Sequence, residues 1–138
     1  MKIINYHFVD TTISKNNLCA KYKIVDFILR EKRVVKEINF IFCNDDYLQK
    51  INKKYLQHND LTDVITFDHS HEKKLLGDIY ISIERVKENA LIFNSTFKSE
   101  IARVMIHGIL HLIGYNDKSK IEKKQMRQME NKFLKKVL

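Results

Sequence analysis

Apolar residues recur along the chain with two different periods, and each change of period marks an element. Ile3 to Val9 is apolar-rich and β-prone, which predicts a first strand. Leu18, Tyr22, Val25, Ile28 and Leu29 recur at helical spacing and predict a helix over Lys15–Glu31. Val34 to Phe42 alternates in part and reads as a second strand. Asn44-Asp45-Asp46 then supplies N-cap chemistry for a helix over Tyr47–Leu56, followed by a polar loop to Asp60. Short strands follow at Asp63–Phe67 and Leu75–Ile83, on either side of the charged loop Asp68–Lys74. Glu84–Phe93 reads as a helix, and Ser95 or Thr96 caps the next, which runs through Ile101–Ile106 to about Ile113 and stops at Gly114. Ile121, Met126, Met129, Phe133 and Val137 mark a last amphipathic helix. The sum is about four strands and five helices that alternate only in part, which predicts an α+β fold with helices packed on one mixed sheet.

Composition narrows the class. A chain of 138 residues is the size of one domain, so residues 1–138 are read as a single unit. A hydrophobic content of 44% excludes a disordered tail. Two cysteines, Cys19 and Cys43, cannot make a disulfide scaffold, and their apolar neighbours suit reduced core thiols. No apolar run is long enough to span a bilayer, and Met1–His7 lacks the pattern of a signal peptide, so a cytoplasmic protein without a membrane partner is expected.

The formal net charge is +8. Residues 118–138 hold eight Lys/Arg against Glu122 and Glu130, a local excess of six. This stretch is either a solvated lysine face on a packing helix or an electrostatic footprint for an anionic polymer. Its one aromatic, Phe133, falls on the apolar face, so contacts from this helix would go to phosphates.

The densest chemistry lies in His107-Gly108-Ile109-Leu110-His111-Leu112-Ile113-Gly114-Tyr115-Asn116-Asp117. His107 and His111, at i and i+4, project from one helix face and suit one divalent ion. Gly114 can turn the chain back, so that Asp117 offers a carboxylate to the same ion. Three protein ligands and an open fourth position describe a catalytic zinc site. Gly108 stands where a metallopeptidase of the H-E-x-x-H type carries its glutamate, which counts against proteolysis. A metal-activated water attacking phosphorus or carbonyl remains, and the positive charge favours a polyanionic substrate.

His107-Gly108-x-Leu110-His111-Leu112-x-Gly114-Tyr115 resembles the H-G-x-L-H-L-x-G-Y-D-H signature of the YbeY-type endoribonucleases, the bacterial rRNA maturation factors. Ile51-Asn52-x-x-Tyr55, Leu61–Phe67 and Leu76–Ser82 are similar to further segments of that family, in the same order. The resemblance covers about residues 51–117. It implies a zincin-like metal-binding helix and a single-strand-specific endoribonuclease acting in 16S rRNA 3′-end maturation and ribosome quality control. Its partners would be ribosomal RNA and ribosomal particles, with no DNA expected. The implied ligands are His107, His111 and Asp117, also taken as the catalytic set.

Several positions depart from the family pattern. Asp117 replaces the third histidine, which zinc accepts and which shifts preference toward harder ions such as Mn²⁺. Leu56 replaces an arginine thought to meet the RNA backbone, with His58, Lys53 or Lys54 as substitutes. Asn59 and Leu61 replace an Asp and a Pro in the same loop. Thr62-Asp63 either caps a turn or lines the metal cleft, and Asp78 either orients the site or ends a loop. His69 and His71 read as solvated, and Tyr115 as packing. Two further readings stand beside the nuclease: a non-catalytic RNA- or ribosome-binding factor with a structural metal, and a zincin-like hydrolase of another substrate.

Overall fold

The computed structural model describes residues 3–58 and 61–138; Asn59 and Asp60 of the polar loop lie outside the described residues. Four strands form one mixed sheet: β1 (Ile3–Phe8), β2 (Val34–Cys43), β3 (Val64–Asp68) and β4 (Lys74–Ser82), in the order β1-β2-β4-β3. β2 runs parallel to β1 and β4, and β3 returns antiparallel along β4 as an edge strand. Five α-helices accompany them: α1 (Lys21–Arg30), α2 (Asp45–Leu56), α3 (Ile83–Ile92), α4 (Phe97–Ile113) and α5 (Lys120–Val137). The α+β architecture expected from the pattern is therefore present.

Strand alternation sorts the side chains onto two faces. Ile38, Phe40 and Phe42 of β2 and Leu75, Ile79 and Ile81 of β4 enter the main core with α1, α4 and α5. The opposite face carries a smaller cluster of Cys43, Leu48 and Ile65 under α2. At the heart of the main core the Phe27 ring of α1 stacks on Phe133 of α5, with centroids 3.6 Å apart. None of the described helices is long and apolar enough to cross a membrane. Both cysteines are free and buried.

One expected element breaks. The helix predicted over Lys15–Glu31 is a single 3-10 turn, Lys15–Asn17, then an extended link through Leu18 to Ala20, and only then α1. Leu18 packs against the core and Cys19 is buried. The Cys19 carbonyl accepts a 2.7 Å hydrogen bond from the Tyr6 hydroxyl. With the Cys19 carbonyl committed to Tyr6 of β1, it does not serve as an intrahelical acceptor, and the backbone there is extended.

α4 is the element that positions the chemistry. Thr96 caps it, its hydroxyl accepting from the Ser99 amide at 3.0 Å. Gly108 lets it lie close on β4, because a Cβ there would sit 2.7 Å from Ile79. Gly114 ends it at φ +115°, its amide donating to the Leu110 and His111 carbonyls. The Arg33 guanidinium donates to the Ile113 carbonyl at 3.1 Å and satisfies another of the helix's last acceptors.

Candidate metal centre

His107 and His111 lie one turn apart on α4, and both aim Nε2 at one point, 3.0 Å from each other. The positive-φ turn at Gly114 brings the chain back over this face. Asp117 Oδ2 thereby lies 3.2 Å from His107 Nε2 and 3.4 Å from His111 Nε2. A tetrahedral zinc with bonds of about 2.0–2.2 Å sets neighbouring donors roughly 3.3–3.5 Å apart, so the three atoms fit one ion. The donor set, two neutral imidazoles and a carboxylate, suits a divalent metal.

The residue that sequence reasoning missed is Glu130. Its carboxylate comes from α5, is 5% exposed, and lies 2.8 Å from His107 Nδ1 through Oε2. Oε1 accepts from Arg103 at 2.9 Å, and Arg103 also donates to Asn131 at 2.9 Å. A carboxylate behind a ligating imidazole fixes its tautomer, leaving Nε2 free to face the ion. Glu130 occupies the apolar register 126–130–133–137 of α5, and an acid in that register is the signal that marks it.

The charges of the pair follow from these contacts. Burial opposes a charged His107, but the Glu130 hydrogen bond and the Glu130 and Asp117 charges outweigh it and hold its pKa above the ordinary histidine value. His111, partly buried and beside His107, is held below that value. Burial likewise raises the carboxyl of Asp63.

The donors open into a cleft of about 770 Å³ walled by β3, the end of α2 and the Asp117 turn. Asp63 lines this cleft, and Thr62 folds back so that its hydroxyl donates to the Val64 carbonyl at 3.3 Å. Thr62 lines the cleft as well, so the turn contact and the cleft-lining position fall on the same residue. Leu56, His58 and Lys118 also line the cleft, whereas Lys53 borders a separate shallow pocket and Lys54 lies over the Tyr55 ring. Of the suggested replacements for the missing arginine, only His58 reaches the cleft.

Other flagged residues lie elsewhere. Asp78 sits within β4 rather than at a loop end, on the face turned away from α4, where it accepts from Asn39 at 3.0 Å and lies 3.7 Å from His69 Nε2. His69 and His71 are exposed, and Tyr115 is partly buried against the main core. A smaller groove of about 520 Å³ between α1 and α5 does not touch the metal donors.

A paired-histidine helix with a carboxylate folded back onto it, on a small α+β sheet, defines a metallohydrolase-like site. The family model described as Endoribonuclease YbeY matches residues 5–138, and the chain belongs to that endoribonuclease family. A protein of Karelsulcia muelleri named Endoribonuclease YbeY is 47% identical over 132 residues, covering 96% of this chain and 94% of its own. A Flavobacterium psychrophilum protein of the same name is 55% identical over 108 residues, 78% of this chain and 77% of its own. The solution structure of TM1509 from Thermotoga maritima superposes with a TM-score of 0.68 at 30% identity, covering 98% of this chain and 88% of that one.

Proposed function

We propose that the chain, acting as one domain, is a cytoplasmic metal-dependent endoribonuclease that cleaves single-stranded RNA at the His107–His111–Asp117 centre. The observation that carries this reading is the convergence of three donor atoms, each within 3.4 Å of the other two, in an open cleft. Zinc fits the donors, and the carboxylate of Asp117 also admits Mn²⁺. When bound, the ion supplies a water of lowered pKa and charge stabilisation at the phosphoryl oxygens.

The protein's own groups do the rest. Glu130 keeps the His107 proton on Nδ1 and the Nε2 lone pair on the cleft side. Lys118 and His58 line the path of the phosphate backbone and attract it. Family membership supports ribosomal RNA in ribosomal particles as the substrate, with roles in 16S 3′-end maturation and ribosome quality control.

The test is to quantify metal in the purified protein and assay single-stranded RNA with and without chelator. Cleavage should vanish on stripping, return with Zn²⁺ or Mn²⁺, and be lost in His111→Ala. Undiminished cleavage by the stripped protein, or by His111→Ala, would overturn the proposal. RNA binding without cleavage by the metal-loaded protein would establish the non-catalytic factor instead. Precursor ribosomal particles, offered beside free RNA, test the ribosomal assignment: equal rates on unrelated RNA would refute it.

A further inference from the structure

A second cavity, of about 300 Å³, lies on the other side of His107 from the cleft. The end of α3, the first half of α4, α5 and the start of β3 enclose it, and Asp63, Val64 and His107 line both spaces. Its size is at the small end of ligand sites, which run from ~300 to ~1,000 Å³.

Its lining is rich in acceptors and offers little free positive charge. Glu100 is 6% exposed, and among the described residues its carboxylate has one hydrogen bond, a long 3.4 Å contact from the Ser95 hydroxyl. No Lys or Arg among the described residues lies within ion-pairing distance of it. The Asp63 carboxylate accepts from the Asn89 amide at 3.3 Å and from the backbone N–H groups of Asp63 and Val64, so Glu100 is the less satisfied of the two. Arg103 is spent on Glu130 and Asn131, and Arg127 lies 3.6 Å from Glu130. Buried carboxylates of this kind want donors; burial raises the pKa of both Glu100 and Asp63. Phe93, a large aromatic left 62% exposed, borders the same cavity.

A phosphate would meet repulsion here, but a neutral ring with N–H groups would meet acceptors and an aromatic face. We propose that this cavity is a base subsite: it takes the nucleobase next to the scissile phosphate, stacks it on Phe93 and selects an exocyclic amino group through Glu100 and Asp63. Adenine, cytosine and guanine carry that group and uracil does not. The assignment rests on RNA cleavage at the His107–His111–Asp117 centre.

The experiment uses the metal-loaded full chain and single-stranded oligoribonucleotides that differ in one base flanking the cut. Uridine at one flanking position should lower kcat/KM about tenfold against cytidine, since a buried acceptor left without its donor costs about 1–3 kcal/mol. Glu100→Gln, which adds a donor at the same volume, should shrink that ratio below about threefold. Phe93→Ala, at the rim, should raise KM about tenfold for every base with kcat retained. Equal rates for all four bases, or an undiminished ratio in Glu100→Gln, would overturn the subsite. Cleavage insensitive to chelator would instead overturn the metal reading, whatever the base preference. Binding of cytidine and uridine monophosphates by NMR gives an answer independent of turnover: cytidine should bind about tenfold tighter and perturb Phe93, and equal affinities would refute the proposal.

Discussion

Glu130 Oε2 lies 2.8 Å from His107 Nδ1, so the last helix of the fold holds the imidazole that α4 presents. Removing the charge but not the volume, as in Glu130→Gln, should weaken metal binding about 10–100-fold, the usual cost of losing such a support. Competition with a chromophoric chelator would measure it, with thermal melting as a check on folding. Unchanged affinity would mean that His107 needs no orienting group.

Asp117 tests the donor set from the other side. Asp117→Asn should markedly lower zinc occupancy, because a neutral amide is a poor zinc donor. Asp117→His should restore it and move preference from Mn²⁺ toward Zn²⁺, as a third imidazole is softer than a carboxylate. Elemental analysis of the three proteins decides the matter, and equal occupancy in Asp117→Asn would remove Asp117 from the site.

Packing under the site gives a prediction about stability. A methyl at position 108 would meet Ile79 at 2.7 Å, so Gly108→Ala should force α4 from β4 and cost about 1–3 kcal/mol. Denaturant unfolding would show it. Wild-type stability in the variant would mean that Ile79 rotates away without cost.

Alkaline pH should unfold the protein in a defined window. Burial pushes the Cys43 thiol up to about 12 and raises the Cys19 thiol and the Tyr6 hydroxyl as well. A pKa raised on folding contributes stability that is complete below the unfolded value, about 8.5 for a thiol, and is lost as pH climbs from there toward the folded value. Each buried thiol should then cost about 1.4 kcal/mol per pH unit in that interval. Both thiols should also resist alkylation at pH 8 until the chain unfolds. Stability flat from pH 8.5 to 10.5, or fast labelling of the native protein, would contradict this.

Lys118 lines the cleft and belongs to the basic terminal stretch. Lys118→Gln should raise KM for RNA and reduce the slope of log affinity against log salt by about 0.7, the value for one phosphate contact on a single strand. An unchanged slope would assign Lys118 to the solvated surface.

Much of this arrangement is legible in the sequence because it is local. The i, i+4 histidine pair, the positive-φ glycine and the carboxylate six residues beyond His111 are one continuous piece of chain, and their meeting follows from helix geometry. Glu130 was not read because its partner lies 23 residues away, on a helix whose lysines dominate its composition. The break before α1 was hidden for a related reason. Leu18 and Cys19 continue an apparent helical period, and only the contacts of Tyr6 and the core, made from elsewhere in the chain, select extended backbone there. Asp78 invites a role in the site, yet strand alternation turns it to the far face of the sheet.

The placement of Glu130 also bears on when the site comes into being. A growing chain presents its histidines and Asp117 before α5 has been made, and at that stage His107 has no carboxylate behind it. The support that Glu130 gives His107 is therefore complete only once α5 has docked against α4.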